Sequence, residues 1–351
     1  EGTWRWTAVP LDLDREGPFR LVELEHREGS RVLLSILHLA MDGGALMSLF
    51  RELAEVLAGH EPSLPAGRRR SVTQLLRGVP PFLWPSLARE VLRELGVPRR
   101  LAAVSRRERP FPPGNPRGLP FWCTVTAELD QVKKRAQAGG GTVTDVLVAA
   151  IARASARRTT TGPAAILLTV DLRRFLRRPA SVVANLSGTS HVFVPREDLA
   201  TLDAAIARVA SITRPQKRRP IGLASSLLPA FLMGWLPHDR LRRIGLEHLR
   251  EQHHASFEKL LVLTNIGVWD PHLESLGSRV LAVSGVGPLM PGIPAPFVAL
   301  GSHRNRLRIV VSTQGPLDPR GIVEYAGDLQ ADVGGEMTMP VNVSRLMPAI
   351  V

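Results

Sequence analysis

The chain has 351 residues, of which 44% are apolar and 22% charged, and a net charge of +13. That length fits two domains or one large one with ample core, and the composition is that of a globular protein rather than a disordered or fibrous one. A single cysteine, Cys123, excludes an intramolecular disulfide and fits a reduced, cytosolic setting.

EGTWRW at the start has neither the basic nor the apolar region of a secretory signal. FRLVELEH (19–26) and RVLLSILHL (31–39) are two apolar runs joined by REGS, the pattern of a hairpin with Gly29 in the turn. After the MDGG turn, Leu46, Leu49, Phe50, Leu53, Val56 and Leu57 recur at helical spacing, and Gly59 stands where a helix would end. His38 is thus expected at a strand end and Asp42 in the loop entering an amphipathic helix. Residues 98–120, rich in Pro and Arg and without periodicity, read as a crossover linker. The expected division is an N-terminal lobe plus linker at 1–120 and a C-terminal lobe at 121–351.

FWCTVTAELDQVKKRAQAGG predicts a strand, with Cys123 as a small core residue, followed by a helix. TVTDVLVAAIARASARR (142–158) predicts a helix capped by Thr142 or Thr144. AAILLTVDLRR (164–174) reads as a buried strand ending in Asp171 and Arg173, SHVFVP (190–195) as another strand, and DLATLDAAIARVASITR as a helix. The most apolar stretch, SSLLPAFLMGWLP (225–237), is broken by Pro229 and Gly234. It is too short for the ~20 residues of a bilayer span and reads as a buried or tunnel-lining segment, with a weak membrane-surface contact as the sharper alternative. KLLVLTNIG (259–267), RVLAVSG (279–285), PFVALGS and RLRIVVSTQ (306–314) predict further strands. Strands alternating with helices indicate an α/β fold in two lobes.

Nearly all the positive charge is arginine; only Lys133, Lys134, Lys217 and Lys259 are lysines. The clusters at Arg68 to Arg70, Arg99–Arg100, Arg157–Arg158 and Arg218–Arg219 are scattered and lack interleaved aromatics, so nucleic acid is not an expected partner. A positive field still attracts an anionic one, such as the phosphates of coenzyme A or an acidic carrier protein. No metal site is expected, since His253 and His254 are adjacent rather than spaced as ligands and no Cys cluster exists.

The chemistry rests on SILHLAMDGGALMSLF (35–50). Chance would place a His-x-x-x-Asp-Gly hexapeptide in such a chain only about 3% of the time. His38 is either a base held at a strand end or a core histidine followed by a turn. An imidazole, with a pKa near 6.5, can take a proton from an incoming hydroxyl or amine. Asp42 lies too far along the turn to be assumed the partner that orients His38, and its expected role is to grip an arginine and fix the loop. Gly43 would permit a close approach or an unusual φ.

HLAMDGG, with the strand before it and the helix after it, resembles the signature of the chloramphenicol acetyltransferase-like superfamily. That superfamily includes nonribosomal-peptide condensation domains, plant-type and polyketide-associated acyltransferases, alcohol acetyltransferases and wax ester synthases. Its fuller motif is His-His-x-x-x-Asp-Gly, whose second, catalytic His maps to His38; Leu37 stands at the first. ELDQVKKRAQAGGGTVTDVLVAAIARA is similar to the helix-turn-helix opening the family's second lobe. LTVDLRR followed by VVANLSG is similar to its strand with a terminal arginine and then an Asn-containing loop, and VLTNIG to its Ser/Thr-Asn-x-Gly segment. The resemblance spans most of residues 10–330, and only the histidine motif is specific.

The resemblance implies two lobes with mixed sheets flanked by helices, and a tunnel between them with His38 near its middle. It implies an acyltransferase in natural-product or lipid biosynthesis, with His38 as general base. The donor would be acyl-CoA or a phosphopantetheine thioester on an acidic acyl carrier protein, and the acceptor a small alcohol or amine. No cofactor would be permanently bound and no covalent acyl-enzyme formed. Arg173 is the implied partner of Asp42, with Arg174 as fallback. Implied oxyanion donors are a backbone N–H of the DGG turn, at Gly44, and the side chain of Asn265. Asn265 and Asn185 also read as turn and loop residues, and His303 as a surface residue. Two features depart from the family. Only 37 residues precede His38, so the N-terminal lobe is expected to be reduced or incompletely represented, and the Asp-Phe-Gly-Trp-Gly motif of the plant branch is missing. Alternatives are a condensation-type enzyme with both substrates on carrier proteins, a non-catalytic condensation-like docking module, and a nucleic-acid or membrane-surface protein with a structural His38.

Overall fold

The computed structural model describes residues 11–27, 29–38, 40–61, 75–104, 121–159, 161–176, 183–235, 260–285, 296–313 and 319–339, together with 237, 239, 240 and 243. Strands β1 (Phe19–His26) and β2 (Gly29–Ile36) form an antiparallel hairpin with Phe19 opposite Ile36 and His26 opposite Gly29. Gly29 has φ +139, a value that disfavours any side chain there. The strand ends before the histidine. Leu37 N–H closes the ladder on Pro18 O, and the chain then turns, with Ala40 and Met41 N–H on Leu37 O. His38 therefore sits in the turn, two residues beyond β2, rather than at a strand end.

Helix α1 (Gly43–Leu57) starts at Asp42, whose side chain caps it, and is followed by Gly59 at φ +88. Its inward face, Met47 and Ala54 with Leu46 and Phe50, packs on Trp269, Leu273 and Ile266. Helix α2 (Trp84–Ala102) runs through Pro98, where the sequence pattern indicated the start of a linker. Proline removes a helical hydrogen bond, but Leu101 and Val104 anchor the chain beyond it on Ala165, Phe193 and Leu260. Residues 105–120 lie outside the described residues, as do Arg68 to Arg70, Arg177, Arg178, His253 and His254.

The remainder builds one open mixed sheet. In chain order come β3 (Trp122–Glu128), α3 (Leu129–Ala138), α4 (Val143–Ala156), β4 (Ala164–Asp171), β5 (Ser187–Val194), α5 (Leu202–Lys217) and α6 (Leu223–Trp235). They are followed by β6 (Leu260–Val268), β7 (Pro296–His303), β8 (Arg306–Thr313), α7 (Pro319–Val333) and β9 (Glu336–Thr338). The strand order is β5-β4-β6-β7-β8-β3-β9. The β4–β6 and β6–β7 pairs are parallel and the others antiparallel. Alternate residues of the strands, among them Val125, Ile166, Val192, Leu263, Val298 and Ile309, face a core closed by α4, α5 and α7. Helix α4 begins with a capping box of Thr142 and Asp145, and its VLVAAIA run is buried all round. Cys123 is fully buried there and its thiol is pushed up to about 12 by burial, which keeps it unreactive.

Two expectations fail in this half. Residues 279–285 form no strand. They follow a 3-10 turn (Glu274–Arg279) irregularly, and side chains occupy their carbonyls: Arg308 donates to Val283 O and the His303 ring lies 3.5 Å from Val280 O. His303 is not a surface residue but is buried at the end of β7, with Nδ1 3.2 Å from Asp270. Helix α6, from the 225–237 stretch, packs on α2 and β5. No helix among the described residues is long and apolar enough to cross a membrane.

Candidate active site

The site is organised by Asp42. It is 2% exposed and accepts hydrogen bonds from five donors. Oδ1 takes Ala45 N–H at 2.9 Å and Arg173 Nη2 at 2.7 Å; Oδ2 takes Arg173 Nη1 at 2.9 Å, Leu186 N–H at 2.7 Å and the Ser187 hydroxyl at 3.2 Å. Burial alone would push this carboxyl up. The Arg173 fork and charge, with the amides of Ala45 and Leu186, outweigh it and hold the carboxyl below its ordinary value. Arg173 comes from a 3-10 turn (Leu172–Phe175) just after β4. It also donates to Asp171 and to Ala184 O, and Asp42 and Asp171 raise it against the pull of burial. Arg174 points elsewhere, to the carbonyls of Arg219 and Ile221.

This cluster ties the turn of His38 to the start of β5. Asn185 Nδ2 donates to His38 O at 2.7 Å, and its Oδ1 takes Ser187 N–H. The imidazole is solvent-exposed, with Nδ1 3.1 Å from Met41 O. A carbonyl only accepts, so that bond places the ring proton on Nδ1 and leaves a lone pair on Nε2.

Gly44 is fixed by sterics, since a Cβ there would lie 2.5 Å from Arg173 Nη1. Gly43 has no such need: a Cβ would meet only Ile266, at 3.8 Å, and its φ is not positive. The close approach expected at Gly43 therefore belongs to Gly44. Both glycines lie in the first turn of α1, whose amides have no intrahelical acceptor. Among the described residues neither amide is engaged.

His38, Asp42, Gly44 and Arg173 are thus gathered in one place, while Asn265 is engaged elsewhere. Its Nδ2 donates to Thr144 Oγ1 at the start of α4 and its Oδ1 accepts Gly267 N–H, while the next residue, Ile266, faces Gly43. Sequence reasoning missed Leu186 N–H and Ser187 as partners of Asp42, and passed Asn185 over as a loop residue. The only signal for them was the polar break ANLS ahead of β5. It also missed the Thr169–Thr264 hydroxyl pair, 2.7 Å apart, beside the end of β4. Among the described residues no cluster of His, Cys, Asp and Glu could hold a metal ion.

No family model matches the sequence, and no curated protein matches it. Solved structures do. The fold is similar to that of TRI3 trichothecene 15-O-acetyltransferase from Fusarium sporotrichioides, with TM-score 0.63 and 14% identity, covering 90% of this chain and 70% of that one. It is similar to polyketide synthase associated protein 5 from Mycobacterium tuberculosis, with TM-score 0.58 and 16% identity, covering 92% and 78%. The epimerization domain from the third module of tyrocidine synthetase B gives TM-score 0.56 and 15% identity, covering 92% and 72%. The chain therefore has the fold shared by nonribosomal-peptide condensation-type domains and acyltransferases of the chloramphenicol acetyltransferase kind.

Proposed function

We propose that the chain is an acyltransferase that moves an acyl group from a thioester donor to a hydroxyl or amine, with His38 as general base. The observation that carries this reading is the His38 ring itself. Nδ1–H is tied to the Met41 carbonyl, Nε2 is left as a base, and the turn holding the ring is locked by Asp42 and Asn185. A rigid, solvent-open imidazole of this tautomer suits proton abstraction.

In the proposed sequence Nε2 takes the proton of the acceptor as its oxygen or nitrogen attacks the thioester carbonyl carbon. The carbonyl electrons move to oxygen. That oxyanion is received by the unengaged amides of Gly43 and Gly44 at the start of α1, where the helix dipole adds to the two donors. When the tetrahedral species collapses, the C–S bond breaks and the leaving thiolate recovers the proton from His38. Asp42 takes no part in proton transfer; paired with Arg173 it holds the turn. Cys123, buried with its thiol pushed up, is not a nucleophile. The donor would be acyl-CoA or a phosphopantetheine thioester on an acyl carrier protein. The condensation-domain and polyketide-associated neighbours favour a carrier in general terms without choosing between them.

Mass spectrometry tests the reading directly. The protein is incubated with a panel of acyl-CoA and acyl-carrier donors and a panel of alcohols and amines. A new ester or amide that requires both substrates is the expected result. Product from carrier-bound donors and acceptors alone would point to condensation chemistry. Carrier binding without any product would point to a docking module.

A further inference from the structure

Helix α2 carries apolar residues on both its inward and its outward face. Its inward side buries Leu87, Glu90 and Val97. Its outward side exposes Leu92 (69%), Leu95 (59%) and Trp84 (50%), and Phe82 in the turn before it is 77% exposed. Trp84, Ala88, Leu92, Leu95 and Arg99 recur at intervals of three and four residues, so they form one stripe along the helix.

The charges are sorted as well. Both carboxylates of the helix turn inward: Glu90 meets Arg93 and Arg219, and Glu94 lies 3.8 Å from His191 on β5. The exposed charges on α2 are all arginines, at Arg89, Arg93, Arg99 and Arg100. Arg89 and Arg99 pair with no carboxylate among the described residues. Helix α6, drawn from the most apolar stretch of the chain, packs alongside.

We propose that the outer face of α2 docks on an anionic lipid surface, with Trp84, Leu92 and Leu95 entering the interface and Arg89 and Arg99 meeting the head groups. An apolar stripe with an aromatic end and a rim of arginine alone is the composition of a helix that lies in the membrane plane. The arginine stems add apolar contact while their guanidinium groups reach outward. Charge complementarity calls for an anionic occupant, because a neutral apolar partner would leave the arginine rim without counter-charges, and the exposed apolar stripe within that rim favours a lipid surface. The surface is independent of the His38 chemistry and does not rest on the acyltransferase reading.

Vesicle co-sedimentation tests it, using liposomes of phosphatidylcholine alone and of phosphatidylcholine with phosphatidylglycerol. Binding is expected only to the anionic vesicles and is expected to weaken with salt. Leu92→Gln with Leu95→Gln should lower partitioning at least about tenfold. Each of Arg89→Gln and Arg99→Gln should lower it about fivefold. All four positions are exposed, and unchanged melting curves would show that the variants fold. Failure of the wild-type chain to bind anionic vesicles would overturn the proposal, as would equal binding to neutral ones or full binding by the folded leucine variant. A wild-type dimer in light scattering that the leucine pair dissociates would also overturn it, by assigning the face to a second copy.

Discussion

Asp42 and Arg173 lie 131 positions apart and meet as a buried two-pronged ion pair. Removing the carboxylate leaves a buried guanidinium short of its main counter-charge, so Asp42→Ala should cost on the order of 3–5 kcal/mol of stability. The denaturant midpoint measures it, and an unchanged midpoint with abolished turnover would assign Asp42 a direct chemical role. The pH dependence has a definite sign. The folded carboxyl binds its proton less readily than the ordinary one at 3.8. Its contribution is therefore complete above that value and is lost as pH falls through the lower folded value. Asp42→Asn should remove this part of the acid slope. Gly44→Ala should destabilise by roughly 1–3 kcal/mol by pushing a methyl into the gripped Arg173, whereas Gly43→Ala should leave the melting temperature nearly unchanged. The local hexapeptide made His38 and Asp42 legible in the sequence, because spacing along a turn is a local property. Arg173 came only through family resemblance. Leu186 N–H and Ser187 were illegible, since nothing in a backbone amide or a single serine announces a partner some 145 residues away.

At the scale of elements, α2 and β5 place two half-buried titratable groups, Glu94 and His191, 3.8 Å apart. Burial, with Glu90 nearby, pushes Glu94 up to about 7; burial, with Arg100 nearby, pushes His191 down to about 4. Between pH 4.5 and 7 the folded state holds more protons at Glu94 than the unfolded chain does, so that contribution falls as pH rises. Between pH 4 and 6.5 it holds fewer at His191, so that contribution rises. The two oppose each other through the mildly acid range. Glu94→Gln should expose the rising His191 slope, and His191→Asn the falling Glu94 slope. Urea midpoints at pH 5, 6 and 7 check both, and parallel curves for all three proteins would contradict the two shifted titrations. Six of the seven strands of the large sheet were legible because their buried runs are long and flanked by turn residues; the three-residue, half-exposed β9 was not. The helix through Pro98 was not, because its arginines and proline mask the spacing of Leu87, Val91 and Leu101. The 279–285 segment misled for the opposite reason: its apolar run Val280 to Val283 is that of a strand, but side chains meet the carbonyls of Val280 and Val283.

The whole molecule carries +13, and both candidate donors carry phosphates, which arginine binds as a planar fork. Donor KM should therefore rise severalfold from low to high ionic strength while the KM of a neutral acceptor stays nearly constant; a donor KM indifferent to salt would detach the charge from donor binding. The mixed α/β architecture was legible from the alternation of strands and helices. The strand order of the sheet was not, because pairing β4 with β6 past β5, α5 and α6 leaves no mark on local pattern. The central claim is that His38 is the base of an acyl transfer. It is tested most directly by acceptor-dependent thiol release from the best thioester donor, comparing the wild-type chain with His38→Ala at matched melting temperature. The account predicts a loss of at least about a hundredfold in the variant, and a well-folded His38→Ala protein that releases thiol at the wild-type rate would contradict it.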